Sequence, residues 1–143
     1  IGKIGIPDSI LLKQGALDPS EWEVMKRHTL IGQQILGQST HPVMQCAARV
    51  AGGHHERWDG SGYPLGLSGN DIPVECRIVS IVDVYDALRS ERPYKAPLSH
   101  EDAMHTINNG DGRTSPAHFD PEMLRVLGKY GANLDRIFDG HSD

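Results

Sequence analysis

Apolar residues recur at helical spacing along the chain, in stripes separated by turn formers. The first stripe opens at Asp18-Pro19-Ser20-Glu21, an N-cap carboxylate followed by proline at the first helical position and a glutamate at the third. Trp22, Met25, Leu30, Ile31 and Ile35 then repeat along one approximate face, with His28 close to it, and Gly37 supplies a stop. The spacing predicts one helix from Asp18 to about Leu36. A second helix is expected over Val43 to His55, with Val43, Cys46, Ala47 and Val50 inward and His54 and His55 at its C-terminal end. Residues 56–72 hold Gly60, Gly62, Gly66, Gly69 and Pro64, too many turn formers for regular structure, and a loop of that length points to function.

Pro73-Val74-Glu75 opens a third helix through Leu88 that is apolar almost all round, so it is expected to be central. Its β-branched residues also suit a buried strand, but the run reaches Ala87-Leu88 without a break, which favours helix. Arg89 to Pro97 is a basic, proline-containing connector. Ser99 with Asp102 caps a helix to about Asn109, and Asp120-Pro121 with Glu122 starts another through Tyr130. No alternating strand pattern occurs, so the expected fold is all-α. The stretch from Ala132 to Asp143 reads as a tail without a motif.

Composition narrows the class. At 143 residues the chain is one domain's worth, and 38% apolar with 23% charged residues is the balance of a soluble protein. No apolar run approaches the ~20 residues of a membrane span. Cys46 and Cys76 are too few for a disulfide scaffold and lack metal-pair spacing, which fits a reducing cytoplasm. Ile1 to Pro7 lacks the features of a secretory signal and reads as the interior of a longer chain. A net charge of -5 argues against broad nucleic-acid binding. An anionic ligand must therefore meet local positive charge or bound metal.

Both are on offer. His54-His55-Glu56-Arg57-Trp58-Asp59-Gly60-Ser61-Gly62-Tyr63-Pro64 sets two imidazoles beside a glycine-rich turn, which reads as part of a metal site joined to a substrate loop or as an exposed polar turn. Asp83 sits between Val82 and Val84, where burial costs several kcal/mol, of order, unless the carboxylate is paired or bound to a cation. It is either a metal ligand, an ion-pair partner of Arg77 or a hydrogen-bond partner near Tyr85. His28, alone, reads equally as a satisfied, partly buried histidine. Together, His28, His54, His55 and Asp83 lie on three expected helices, the way bundle metal sites are built, and the mixed donor set suits iron, manganese or zinc. Arg89-Ser90-Glu91-Arg92-Pro93-Tyr94-Lys95 reverses the local charge, and Arg92 and Lys95 form either a phosphate clamp or a solvated run.

These residues, in this order, resemble the HD-GYP domain, a branch of the HD-superfamily metal-dependent phosphohydrolases. The match runs from Ile1 to roughly Leu127 and rests on Ile1 to Asp8, on His54 to Pro64, on Val82 to Leu88, on Arg92-Pro93-Tyr94-Lys95 and on Phe119-Asp120-Pro121. The resemblance implies an HD-like helical bundle over residues 1–131 and hydrolysis of the bacterial messenger cyclic di-GMP to the linear dinucleotide and GMP. It implies a bi- or trinuclear centre of divalent ions, iron or manganese, that activates the attacking water. Carried across by motif, His28, His54, His55 and Asp83 are metal ligands. Lys3 is expected to act on the phosphate near the metals, and Tyr63, Arg92 and Lys95 to bind the dinucleotide. Fused receiver or sensor domains and contacts with diguanylate cyclase domains are further implications.

The family's His-Asp dyad would fall just before Ile1, and an upstream helix would supply a glutamate and another histidine. On that pattern these 143 residues alone are expected to be impaired in turnover. The competing reading is a non-catalytic module that holds cyclic di-GMP or a partner protein through the loop and the Arg92/Lys95 clamp; a general mononucleotidase is a weaker one. His41, His100, His105, His118 and His141 read as solvated, and Glu56 and Asp59 either orient the histidines or cap the loop.

Overall fold

The computed structural model describes residues 1–91 and 96–140. Arg92 and Lys95, expected to bind the dinucleotide, lie outside the described residues. Among the described residues every regular element is helical, as expected: α1 (Asp8–Leu11), α2 (Pro19–Lys26), α3 (His28–Gly37), α4 (Pro42–Gly53), α5 (Val74–Arg89), α6 (His100–Asn109) and α7 (Pro121–Asp139), with 3-10 turns at Gly2–Gly5, Gly69–Asp71 and Pro116–His118.

The capping signal at Asp18 folds as its residues predict. Asp18 Oδ1 accepts the N–H groups of Ser20 (2.8 Å) and Glu21 (2.9 Å), while Glu21 Oε2 accepts the N–H of Asp18 (2.8 Å). The helix it starts does not reach Leu36. α2 ends at Lys26 and α3 begins at His28, because Thr29 Oγ1 donates to the Lys26 carbonyl (2.8 Å) and His28 Nδ1 donates to the Met25 carbonyl (2.7 Å). Side chains that bond carbonyls one turn back compete with the backbone ladder and bend a helix. The break sets His28 at the start of α3, where it is buried, while Trp22, Leu30 and Ile35 stay exposed.

α3 and α4 run antiparallel at close range because they meet on small residues. A Cβ on Gly32 would lie 3.2 Å from the Ala51 Cβ, and one on Gly37 3.9 Å from the Ala48 Cβ. The Gly2–Gly5 turn lies on the same face of α3: a Cβ on Gly2 would sit 1.8 Å from the His28 carbonyl oxygen, so only glycine fits. Val43, expected inward, is 66% exposed. α3 has ended at Gly37, opposite Ala48, so it does not extend far enough to cover the first turn of α4.

The main core joins α5, α6 and α7. Ile81, Tyr85 and Leu88 of α5 pack with Ala103 and Ile107 of α6 and with Phe119, flanked by Met123, Leu127, Leu134 and Phe138. Each large side chain fully withdrawn from water there contributes about 1.5–3 kcal/mol. α5 is central as expected, since it also packs on α4 through buried Cys76, whose thiol donates to the Arg49 carbonyl (3.2 Å), while Val74, Ile78 and Val82 form an exposed stripe at four-residue spacing. α7 continues past Tyr130 to Asp139, through what the sequence offered as a featureless tail. Arg89 holds it there, donating to Asp135 (2.7 Å) and Asp139 (2.8 Å) with its guanidinium 4.8 Å from the Phe138 ring centre. His100, expected to be solvated, is half-buried with its Nδ1 2.8 Å from the Tyr85 hydroxyl.

Candidate metal centre and its cleft

Three imidazoles converge where α3 begins and α4 ends. One ring nitrogen each of His28, His54 and His55 lies within 4.8 Å of the others. His28 reaches the cluster from the first residue of α3, and His54 caps α4 with His55 directly after it. Ring centres are 5.1 Å apart for His28 and His55 and 4.0 Å for His54 and His55.

The hydrogen bonds select the tautomers. His28 Nδ1 meets the Met25 carbonyl, and His54 Nδ1 meets the carbonyls of Val50 (3.0 Å) and Ala51 (3.1 Å), so both Nδ1 atoms carry the proton. That leaves Nε2 as an open lone pair, the arrangement of a ligating histidine oriented by a backbone carbonyl. His28 Nε2 is buried and has no hydrogen-bond partner among the described residues. A buried acceptor without a donor is costly, and a cation is what would satisfy it. Burial lowers the His55 pKa to about 3, with His54, His28 and Lys3 adding to the shift, and burial also lowers that of His28. Both rings are held in the neutral form that binds metal. The donor set therefore fits a divalent metal ion.

The cluster opens into a cleft of about 1100 Å³ whose walls include Lys3, Trp22, Tyr63, Asp83 and Arg113. Lys3 is exposed on the Gly2–Gly5 turn and faces the same cleft as the imidazoles. Tyr63 stands with its ring centre 4.8 Å from that of His55 and 5.8 Å from that of Trp22. Burial raises the Tyr63 hydroxyl to about 12, so it remains a donor at neutral pH.

Asp83 departs from the expectation drawn from its neighbours. It is exposed, on the open side of α5, and lines the cleft without joining the three-histidine group. The burial cost inferred from Val82 and Val84 does not arise, because Val82 is itself exposed. Arg77 pairs elsewhere: its Nη1 donates to Asp120 Oδ2 at 2.7 Å, and its guanidinium lies 5.6 Å from the Trp58 ring centre.

Glu56 resolves to the loop rather than to the histidines. It is 2% exposed, and its two oxygens accept the N–H groups of Leu65 (2.7 Å) and Leu67 (2.9 Å). The loop thereby folds back on its own start. Tyr63 N–H donates to the His55 carbonyl (3.1 Å), and a Cβ on Gly62 would meet the Arg57 nitrogen at 2.3 Å, so the return requires glycine there. Asp59 caps locally, accepting from the N–H (2.9 Å) and hydroxyl (2.7 Å) of Ser61. Residues 111–114 were not singled out from sequence, yet Asp111, Arg113 and Thr114 form part of the cleft wall. Their only local signal in the sequence is the charged, glycine-containing turn Gly110-Asp111-Gly112-Arg113, whose two glycines adopt positive φ.

A family model described as an HD domain matches residues 1–123. The chain belongs to the HD-domain family. Within that family it is 45% identical over 143 residues to a cyclic di-GMP phosphodiesterase of Thermotoga maritima, covering all of this chain and 38% of that protein. It is 47% identical over 137 residues to the cyclic di-GMP phosphodiesterase response regulator RpfG of Xanthomonas campestris, covering 96% of this chain and 35% of that one. It is also 46% identical over 127 residues to a 3'3'-cGAMP-specific phosphodiesterase of Vibrio cholerae, covering 89% of this chain and 24% of the relative. The HD-domain chain thus spans well under half the length of these relatives. Gly62-Tyr63-Pro64 and the segments around it match the HD-GYP branch of the family.

Proposed function

We propose that the polypeptide carrying this chain is a metal-dependent phosphodiesterase that opens cyclic di-GMP to the linear dinucleotide and cleaves that product to GMP. The observation that carries the reading is the convergence of three imidazoles on one cleft shared with Lys3 and Tyr63. The names of the relatives supply the substrate class.

His28, His54 and His55 would hold the metal, with Asp83 as a further candidate ligand from the cleft wall. When bound, divalent ions, iron or manganese in a bi- or trinuclear centre on this reading, supply a Lewis acid and a water activated at neutral pH. The Lys3 ammonium then offsets negative charge that develops on the phosphoryl oxygens. Tyr63 presents a ring on which a purine can stack and a hydroxyl that donates across the working pH range. Arg92 and Lys95 are assigned to the second phosphate, as a bidentate grip and a point charge. The response-regulator relative supports a signal-receiving domain in the same polypeptide.

The test is product analysis on the intact polypeptide loaded with iron or manganese, offered cyclic di-GMP and, separately, 3'3'-cGAMP. Conversion of cyclic di-GMP to linear dinucleotide and then GMP, abolished by a chelator, is the expected result. Tight binding without product would replace the enzyme by a binding module. Conversion of 3'3'-cGAMP alone would correct the substrate.

A further inference from the structure

Beside the cleft lies a second hollow, of about 620 Å³, between the start of the glycine-rich loop and the turn after α6. Arg57, Arg113, Thr114, Ser115 and His118 line it, and Arg113 and Thr114 also face the main cleft. On a chain of net charge -5, two guanidinium groups on one small concavity are a local reversal.

The fold ties them down only loosely, although Asp59 feels the charge of Arg57. Neither Arg57 nor Arg113 forms an ion pair with a carboxylate among the described residues, and the Arg57 side chain makes one long contact, 3.4 Å to the Ser61 hydroxyl. Asp111 shares the hollow, but its Oδ1 already accepts the N–H groups of Arg113 (3.0 Å) and Thr114 (2.7 Å), which shapes the turn that carries Arg113. Asp59 Oδ1 is likewise taken by Ser61. His118 Nδ1 accepts the N–H of Ser115 at 3.2 Å, so its proton resides on Nε2, a neutral donor. Burial, with Arg57 nearby, lowers the His118 pKa and keeps it in that form. Two guanidiniums, an imidazole N–H and the hydroxyls of Thr114 and Ser115 make a donor-rich recess.

We propose that this hollow is an anion subsite, separate from the histidine cluster, that binds a phosphate monoester. Guanidinium groups bind phosphate through paired N–H···O bonds, and a monoester offers more charge and more free oxygens than a diester. The shared wall at Arg113 places the subsite where a nucleotide lying in the cleft could extend its terminal phosphate. The subsite does not depend on the phosphodiesterase reading, since no metal and no hydrolysis enter it.

The experiment is an amide-resolved NMR titration of the intact polypeptide without added metal, using inorganic phosphate, GMP and guanosine. Phosphate and GMP are expected to shift the amides of Arg57, Arg113, Thr114 and Ser115, and guanosine to leave them unmoved. Arg57→Gln and Arg113→Gln are each expected to weaken binding about tenfold with an unchanged melting temperature. Equal affinity for phosphate and GMP assigns the site to the phosphate group alone, and tighter GMP binding assigns it to a nucleotide. Shifts centred on His28, His54 and His55, scattered shifts, no binding, or full binding by the double variant would each overturn the proposal.

Discussion

Glu56 shows how much one side chain decides at this site. Its carboxylate is the acceptor for two loop N–H groups that have no helix or sheet to use, and it is buried while serving them. Glu56→Ala is expected to cost about 3 kcal/mol in urea unfolding, from two charge-assisted hydrogen bonds lost and two donors stranded. Because the loop carries Tyr63, the same variant should raise KM for the dinucleotide more than it lowers kcat. The sequence left Glu56 open between orienting the histidines and capping the loop, because its partners lie nine and eleven residues on and are backbone groups without a residue-type signature. The histidines were legible, since His54 and His55 adjoin in sequence and His28 stands beside a helical face. Asp83 was misjudged in burial, because apolar neighbours along a helix do not reveal which side is covered.

His55 also makes a pH prediction. Its folded pKa of about 3 lies below its unfolded value of about 6.5. Between those values the unfolded chain binds the proton that the folded one refuses, so stability falls as pH drops from about 6.5 toward 3. For metal-free protein, thermal melts from pH 7 to pH 5 should show a falling midpoint, less steep in His55→Asn. A midpoint independent of pH in both proteins would remove the claim that burial keeps His55 neutral.

At the scale of elements, local signals carried most of the fold. Caps at Asp18, Ser99 and Asp120 act within three residues of themselves and marked three helix starts. The division of α2 from α3 was not legible, because it depends on the side chains of His28 and Thr29 turning back onto carbonyls rather than on a breaker residue. The extent of α7 was obscured by Gly128 and Gly131 and is secured by a distant residue, Arg89. Asp120 joins elements by serving two partners, with Oδ1 capping α7 at the Glu122 N–H (2.8 Å) and Oδ2 receiving Arg77. Asp120→Asn keeps the cap geometry and strands the Arg77 charge beside Trp58, so a loss of about 3 kcal/mol is expected in denaturant melts. Tryptophan emission should shift as Arg77 leaves the ring. An unchanged melt would mean that Arg77 is held by the rest of its surroundings.

For the molecule as a whole, two packing units meet at the cleft. The α3/α4 pair, closed on glycines, presents the imidazoles, and the α5/α6/α7 core supplies the facing wall with Asp83 and the turn that carries Arg113. Among the described residues no helix is long and apolar enough to cross a membrane. The all-helical class and the HD-GYP resemblance were legible in the sequence because they rest on periodicity and contiguous motifs. The glycine contact between Gly2 and α3, which brings Lys3 to the cleft of the three histidines, was not, since it joins residues far apart in the chain.

The central claim is that His28, His54 and His55 hold the metal on which cyclic dinucleotide cleavage depends. It is tested most directly by measuring bound iron or manganese and cyclic di-GMP turnover on the same samples of intact polypeptide, wild type against His55→Ala. The account predicts that wild type binds metal and turns over, and that the folded variant loses metal affinity and turnover together, by at least about 100-fold. A folded His55→Ala protein with wild-type metal content and wild-type turnover would contradict it.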